Sequence, residues 1–127
     1  MIYLIDSNVI LEVLLSQEKK ATCKKFIEDN LDKIIVSDFT IYSIGILLFK
    51  FKREKLFQKF CNDFLPNIIV KSVGFENLKL LTEVSLETKL DFDDSYQYLI
   101  AKNNGLKIVT LDKHFKKVSD NIEVKFL

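Results

Sequence analysis

Apolar residues fall along this chain in two rhythms. Five short stretches, at residues 2–5, 34–37, 68–70, 107–110 and 122–126, are rich in Ile and Val and predict strands. Between them the apolar positions recur at three and four residues, which predicts helices. Val9, Ile10, Val13 and Leu14 share one helical face behind Asp6 or Ser7, either of which can cap it. A second helix covers KKATCKKFIEDNL, with Phe26, Ile27 and Leu31 turned inward. A third opens at Asp38 or Thr40 and runs through Phe49. REKLFQKFCNDFLP is a fourth, with Leu56, Phe57, Phe60, Cys61, Phe64 and Leu65 on one broad stripe that ends at Pro66. Residues 75–88 predict a fifth with Leu78, Leu81 and Leu86 inward. A sixth runs from Asp93 to Asn103, stopped by Asn104-Gly105, and residues 113–118 form a short helical turn.

Strands and helices thus alternate from end to end, and the first four strands are continuously apolar, as strands buried on both faces are. The expected fold class is α/β, with helices in layers on both sides of a central, mostly parallel sheet of about five strands. In such sheets ligands bind beyond the carboxyl ends of the strands, where strand order reverses. Residues 1–127 read as a single domain, without repeat, linker or low-complexity tract.

Composition narrows the function. Nineteen Lys and Arg face eighteen Asp and Glu, a net charge of +1, so any electrostatic site must be local. Cys23 and Cys61 lack metal-type spacing and read as reduced, packed thiols, so a cytoplasmic location is expected. No signal peptide or membrane span is expected: the apolar start has no basic flank and meets Asp6 at once, and the longest apolar run, residues 44–49, is short.

Three carboxylates stand out by position. Asp6 follows the first strand, Asp112 follows the fourth in IVTLD, and Asp94 opens a helix in LDFDDSYQYLIA. Each alone reads as a helix N-cap. If the first and fourth strands flank the switch point, Asp6 and Asp112 meet and Asp94 faces them. Like charges held so close persist when a cation sits among them. Carboxylate oxygens suit Mg2+ or Mn2+, which can activate water and stabilise charge on a phosphate oxygen. The expectation is a metal-dependent phosphodiester or phosphoryl enzyme.

These residues in this order resemble a PIN domain, the fold of VapC-type toxin ribonucleases. The resemblance is carried by YLIDSNVILEVL, VSDFTIYSIGILL, LDFDDSYQYLIAKNNGLKIVTLDKHF and a closing strand. It implies a three-layer α/β/α fold and an acidic pocket that binds Mg2+ or Mn2+ and cleaves single-stranded RNA. Carried over by position, Asp6 is the first metal-binding and catalytic acid, Asp94 the third and Asp112 the fourth. Asn8 lies beside the pocket and Thr110 supports it. The chain departs at the second acid, where the family's S-x-x-T-x-x-E-L becomes Ser37-Asp38-Phe39-Thr40-Ile41-Tyr42-Ser43-Ile44 and Ser43 stands in place of Glu. Glu12, Asp38, Asp91 and Asp93 are nearby carboxylates that could compensate, although each also reads as a cap or surface charge.

The resemblance further implies an antitoxin protein partner and a homodimer. LLFKFKREKLFQKFCNDFL holds five phenylalanines, Phe49, Phe51, Phe57, Phe60 and Phe64, more than one face can turn inward, and so predicts an exposed patch. His114 reads as a structural or surface residue. Lys113, Lys116 and Lys117 read as a solvated face or as contacts to an RNA backbone. The expected function is a PIN-type endoribonuclease toxin. Its rivals are a non-catalytic PIN-like module that binds RNA or protein, and a metal-dependent phosphatase or structure-specific nuclease.

Overall fold

The computed structural model describes residues 2–127. Five strands, β1 (Tyr3–Ile5), β2 (Ile34–Ser37), β3 (Ile69–Lys71), β4 (Lys107–Thr110) and β5 (Val124–Phe126), form one sheet in the order β3-β2-β1-β4-β5. Every pairing is parallel. Six helices connect them: α1 (Ser7–Leu14), α2 (Lys20–Asp29), α3 (Asp38–Lys50), α4 (Glu54–Asp63), α5 (Leu80–Thr88) and α6 (Phe92–Asn104). The chain leaves β1 for β2 on one side and returns to β4 on the other, so β1 and β4 flank the switch point, as expected.

Strand alternation sorts the core into two layers. Leu4, Ile35 and Ile108 face α5, α6 and the turn at Lys113–Val118, where they pack with Leu81, Leu99, Phe115 and Val118. Their neighbours Ile5, Ile34, Val36 and Val109 face the other way, against Ile10, Cys23, Ile44, Leu48 and Phe60 of α1–α4. Both cysteines are free thiols, as read from their spacing.

Gly45 lets α3 and α4 close on each other, since a Cβ there would lie 3.2 Å from the Phe57 ring. Phe49, Phe57, Phe60 and Phe64 then form a ladder with centroids 5.9, 6.1 and 5.3 Å apart. Phe60 is buried, whereas Phe49 and Phe51 stay more than half exposed, so the expected division of these rings between core and surface holds.

Two expectations need correction. The helix expected over 75–88 is a 3-10 turn at Phe75–Asn77 followed by α5, and Leu86 lies on the outer face at 68% exposed. The inward set is Leu80, Leu81 and Val84. Leu86 is five residues beyond Leu81, more than a full turn, which rotates it off that face. The third strand, expected to be buried, is an edge strand whose Ile69 and Val70 are 47% and 45% exposed. Its partner lies on one side only.

α6 stops at Asn104-Gly105, as expected. Gly105 sits at φ 63° and its N–H bonds the Ala101 carbonyl. A Cβ there meets nothing within 4 Å, so Gly105→Ala carries only the conformational cost of the left-handed region. Its expected loss is about 1 kcal/mol, a fall of roughly 4 °C in melting temperature by calorimetry.

Candidate functional site

The carboxyl ends of β1 and β4 build the floor of the site. The Asp6 N–H donates to the Val109 carbonyl at 2.9 Å, the last rung between these strands. Asp6 then turns the chain into α1, its Oδ1 accepting the Ser7 N–H at 2.8 Å. Its Oδ2 accepts the Thr110 hydroxyl at 2.8 Å and the Asn8 amide at 3.1 Å. Asn8 also accepts the Leu111 N–H, and the Thr110 oxygen accepts the Asp112 N–H at 2.9 Å. Asn8 and Thr110 therefore lock the end of β4 to the end of β1 and aim the chain that carries Asp112. Asp112 in turn caps the turn at Lys113–Val118, accepting the His114 N–H at 2.9 Å.

Asp94 arrives from the opposite layer, in the first turn of α6. Asp91 caps that helix, accepting the Asp94 N–H at 3.4 Å. Among the described residues, ligand-type atoms of Asp94, Asp112 and His114 all lie within 4.8 Å of one another. The His114 Nδ1 is 3.2 Å from Asp112 Oδ1 and 3.8 Å from Asp94 Oδ2. His114, read as structural or surface, thus keeps an exposed ring but turns it to the acidic cluster.

Electrostatics single out Asp94. Burial first, and then the charges of Asp91, Asp93, Asp6 and Asp112, push its carboxyl up to about 8. Asp6 is also raised: burial outweighs the bonds from Thr110, Ser7 and Gln97, and Asp112 adds repulsion. Beside them, the hydrogen bond Asp93 shares with Asp91 holds Asp93 up and Asp91 down. A carboxylate pocket that resists its own charge is the donor environment a divalent cation relieves.

Gln97 was missed from the sequence. It lies one helical turn beyond Asp94, buried at 3% exposed. Its amide donates to Thr40 Oγ1 at 3.1 Å and, at a long 3.5 Å, to Asp6 Oδ1. Its Oε1 is buried and has no hydrogen-bond partner among the described residues. The available signal was a lone amide in the apolar run YQYLIA at i+3 from Asp94.

The second-acid position is weakly connected. Ser37 and Thr40 bond to each other at the head of α3. Ser43 lies one turn further on, half-buried, and belongs to none of the side-chain hydrogen bonds among the described residues. Two possible substitutes are engaged elsewhere. Glu12 accepts the Lys19 N–H before α2, and Asp38 accepts the Tyr96 hydroxyl at 2.7 Å. Asp91 and Asp93 do lie with Asp94, as a second acidic group.

With this geometry in hand, the sequence matches the family model of the PIN domain over residues 3–121. The chain belongs to the PIN domain family. Comparison with curated proteins returns no match. Among solved structures, VapBC2 from Rickettsia felis, bound to a DNA fragment from its promoter, superposes with TM-score 0.81 at 16% identity, covering 99% of this chain and 98% of that one. FitAcB from Neisseria gonorrhoeae has TM-score 0.75 and 19% identity, covering 98% and 96%. VapC20 from Mycobacterium tuberculosis, a toxin that cleaves the sarcin-ricin loop, has TM-score 0.77 and 12% identity, covering 90% and 92%. At these identities the likeness establishes the PIN fold, an α/β three-layer arrangement on a fully parallel sheet. No helix among the described residues is long and apolar enough to cross a membrane.

Proposed function

We propose that this PIN domain is a divalent-metal-dependent endoribonuclease, the toxin of a toxin–antitoxin pair, acting on single-stranded RNA in the cytoplasm. The observation that carries the reading is the convergence of Asp94 and Asp112, with His114, over the buried Asp6 at the switch point. Asp6, Asp94 and Asp112 would hold Mg2+ or Mn2+. The ion would supply Lewis acidity at a phosphate oxygen and a nucleophilic water at neutral pH. Thr110, Asn8 and Gln97 keep Asp6 in one orientation. Lys113 and Lys116, exposed on the rim, would meet the RNA backbone without reading its bases.

An antitoxin has a fitting place. A groove of about 510 Å³ runs between α1, α2 and α4, lined by Ile10, Leu14, Ile27 and Phe60 and edged by Lys20, Lys24 and Lys59 against Glu28 and Asp63, a positive balance. It suits an apolar helix carrying acidic residues, and the solved relatives include toxin–antitoxin complexes. For a homodimer, Tyr42, Ile46 and Phe49 leave an exposed apolar stripe on α3.

The test is cleavage of single-stranded RNA with Mn2+ by the wild type, by Asp6→Asn with Asp94→Asn, and by Ser43→Glu. Wild-type cleavage that falls at least about 100-fold in the double variant is expected. Ser43→Glu restores the family's second acid and should raise the rate about tenfold. Equal rates in wild type and double variant would overturn the reading. Ser43 itself favours a second reading, a PIN module that binds RNA or protein without cutting; it wins if cleavage is absent while Mn2+ still binds.

A further inference from the structure

We propose that His114 is a nitrogen ligand of the divalent ion held by Asp94 and Asp112, and that the site therefore takes first-row transition ions ahead of Mg2+. The inference rests on the reading of this pocket as a metal centre. His114 and Asp112 are two residues apart on a turn whose position is set by the fully buried Phe115 and Val118. The bond from the His114 N–H to Asp112 Oδ1 keeps the two residues on one side of that turn. Adjacent ligands of a six-coordinate ion at about 2.1 Å lie about 3 Å apart. The imidazole nitrogen stands at 3.2 Å from one carboxylate oxygen and 3.8 Å from the other, so one ion can touch all three after a small side-chain adjustment.

Two further observations support a ligand here. The buried amide of Gln97 ends at Asp6, its Oε1 an acceptor without a partner among the described residues. Ser43 removes one carboxylate from the set that the PIN fold usually brings, which leaves room in the coordination shell and lowers its negative charge. A neutral imidazole fills such a gap. It bonds first-row transition ions well, whereas Mg2+ is selective for oxygen.

The chain has one histidine, so an imidazole signal from bound metal can come from no other residue. The experiment is pulsed electron paramagnetic resonance of Mn2+ on tag-free protein, with Mn2+ affinity and Mg2+ competition by calorimetry. Wild type and His114→Ala are compared; the exposed ring makes loss of fold a minor concern, checked by melting. Expected are 14N couplings of a directly bonded imidazole that vanish in His114→Ala. The variant should also bind Mn2+ at least about tenfold more weakly while Mg2+ affinity changes little. Mn2+ that binds the wild type without 14N coupling, or that binds His114→Ala equally well, overturns this assignment and leaves the carboxylate metal centre standing. Absence of Mn2+ binding overturns both.

Discussion

Asp94→Asn should make the metal-free protein more stable at pH 8 while destroying its response to Mn2+. The Asp94 carboxyl titrates near 8 in the fold and near 3.8 in the unfolded chain. The folded state therefore holds its proton more tightly, and stability is greatest in acid and lost as pH rises toward 8. Burial, the largest cause, acts on a nearly covered side chain, 9% exposed. Water and counterions at the open mouth of the site screen the remaining repulsion, so the loss expected between pH 5 and pH 8 is on the order of 2 kcal/mol. Asparagine carries no charge and escapes it. Melting by calorimetry should show the wild type falling by roughly 8 °C over that range, and Asp94→Asn falling distinctly less, its remaining decline carried by Asp6 and Asp93. Millimolar Mn2+ at pH 8 should restore the wild type and leave the variant unmoved. A wild type whose melting temperature rises with pH would refute the assignment of strain to Asp94.

The second large effect is expected far from any charge. Phe115 is among the largest fully buried side chains and plugs the turn that carries Asp112 and His114 into the α5–α6 layer. Phe115→Ala should cost about 3–5 kcal/mol through lost burial and the cavity left behind. That corresponds to a fall of roughly 10–20 °C in melting temperature. The same change frees the turn, so Mn2+ affinity measured well below melting should also fall, although no candidate ligand has been altered. Leu48→Ala, on the opposite face of the sheet, is the matched control: comparable destabilisation with metal affinity intact. Equal loss of affinity in both would mean that global loosening, not this anchor, sets the site.

Much of this was legible in the sequence because it depends on spacing along the chain. Asp6 and Asp112 follow strands, and Asp94 opens a helix, so alternation and the switch-point rule place them together before any side chain is drawn. The contribution of His114 depends instead on which way a ring turns from a short 3-10 turn, which no period encodes. Gln97 was hidden for a related reason: an amide among apolar neighbours reads as noise until its partners Asp6 and Thr40 arrive from two other elements. The phase of α5 failed because Leu81 and Leu86, both inside that helix, are five residues apart and so cannot share one face. The exposure of β3 failed because Ile and Val favour strands in general, and that preference does not say whether a strand lies at the margin or the centre of a sheet.

That margin has a consequence for assembly. β3 presents one row of backbone donors and acceptors to solvent, with Ile69 and Val70 only half covered and Lys71 the charge that discourages a visitor. Two copies joined there about a two-fold axis would run their β3 strands antiparallel and fuse their sheets into one ribbon. Their pockets would then open at opposite ends of the ribbon. Such a pair would engage two substrates independently, never one substrate with both pockets side by side.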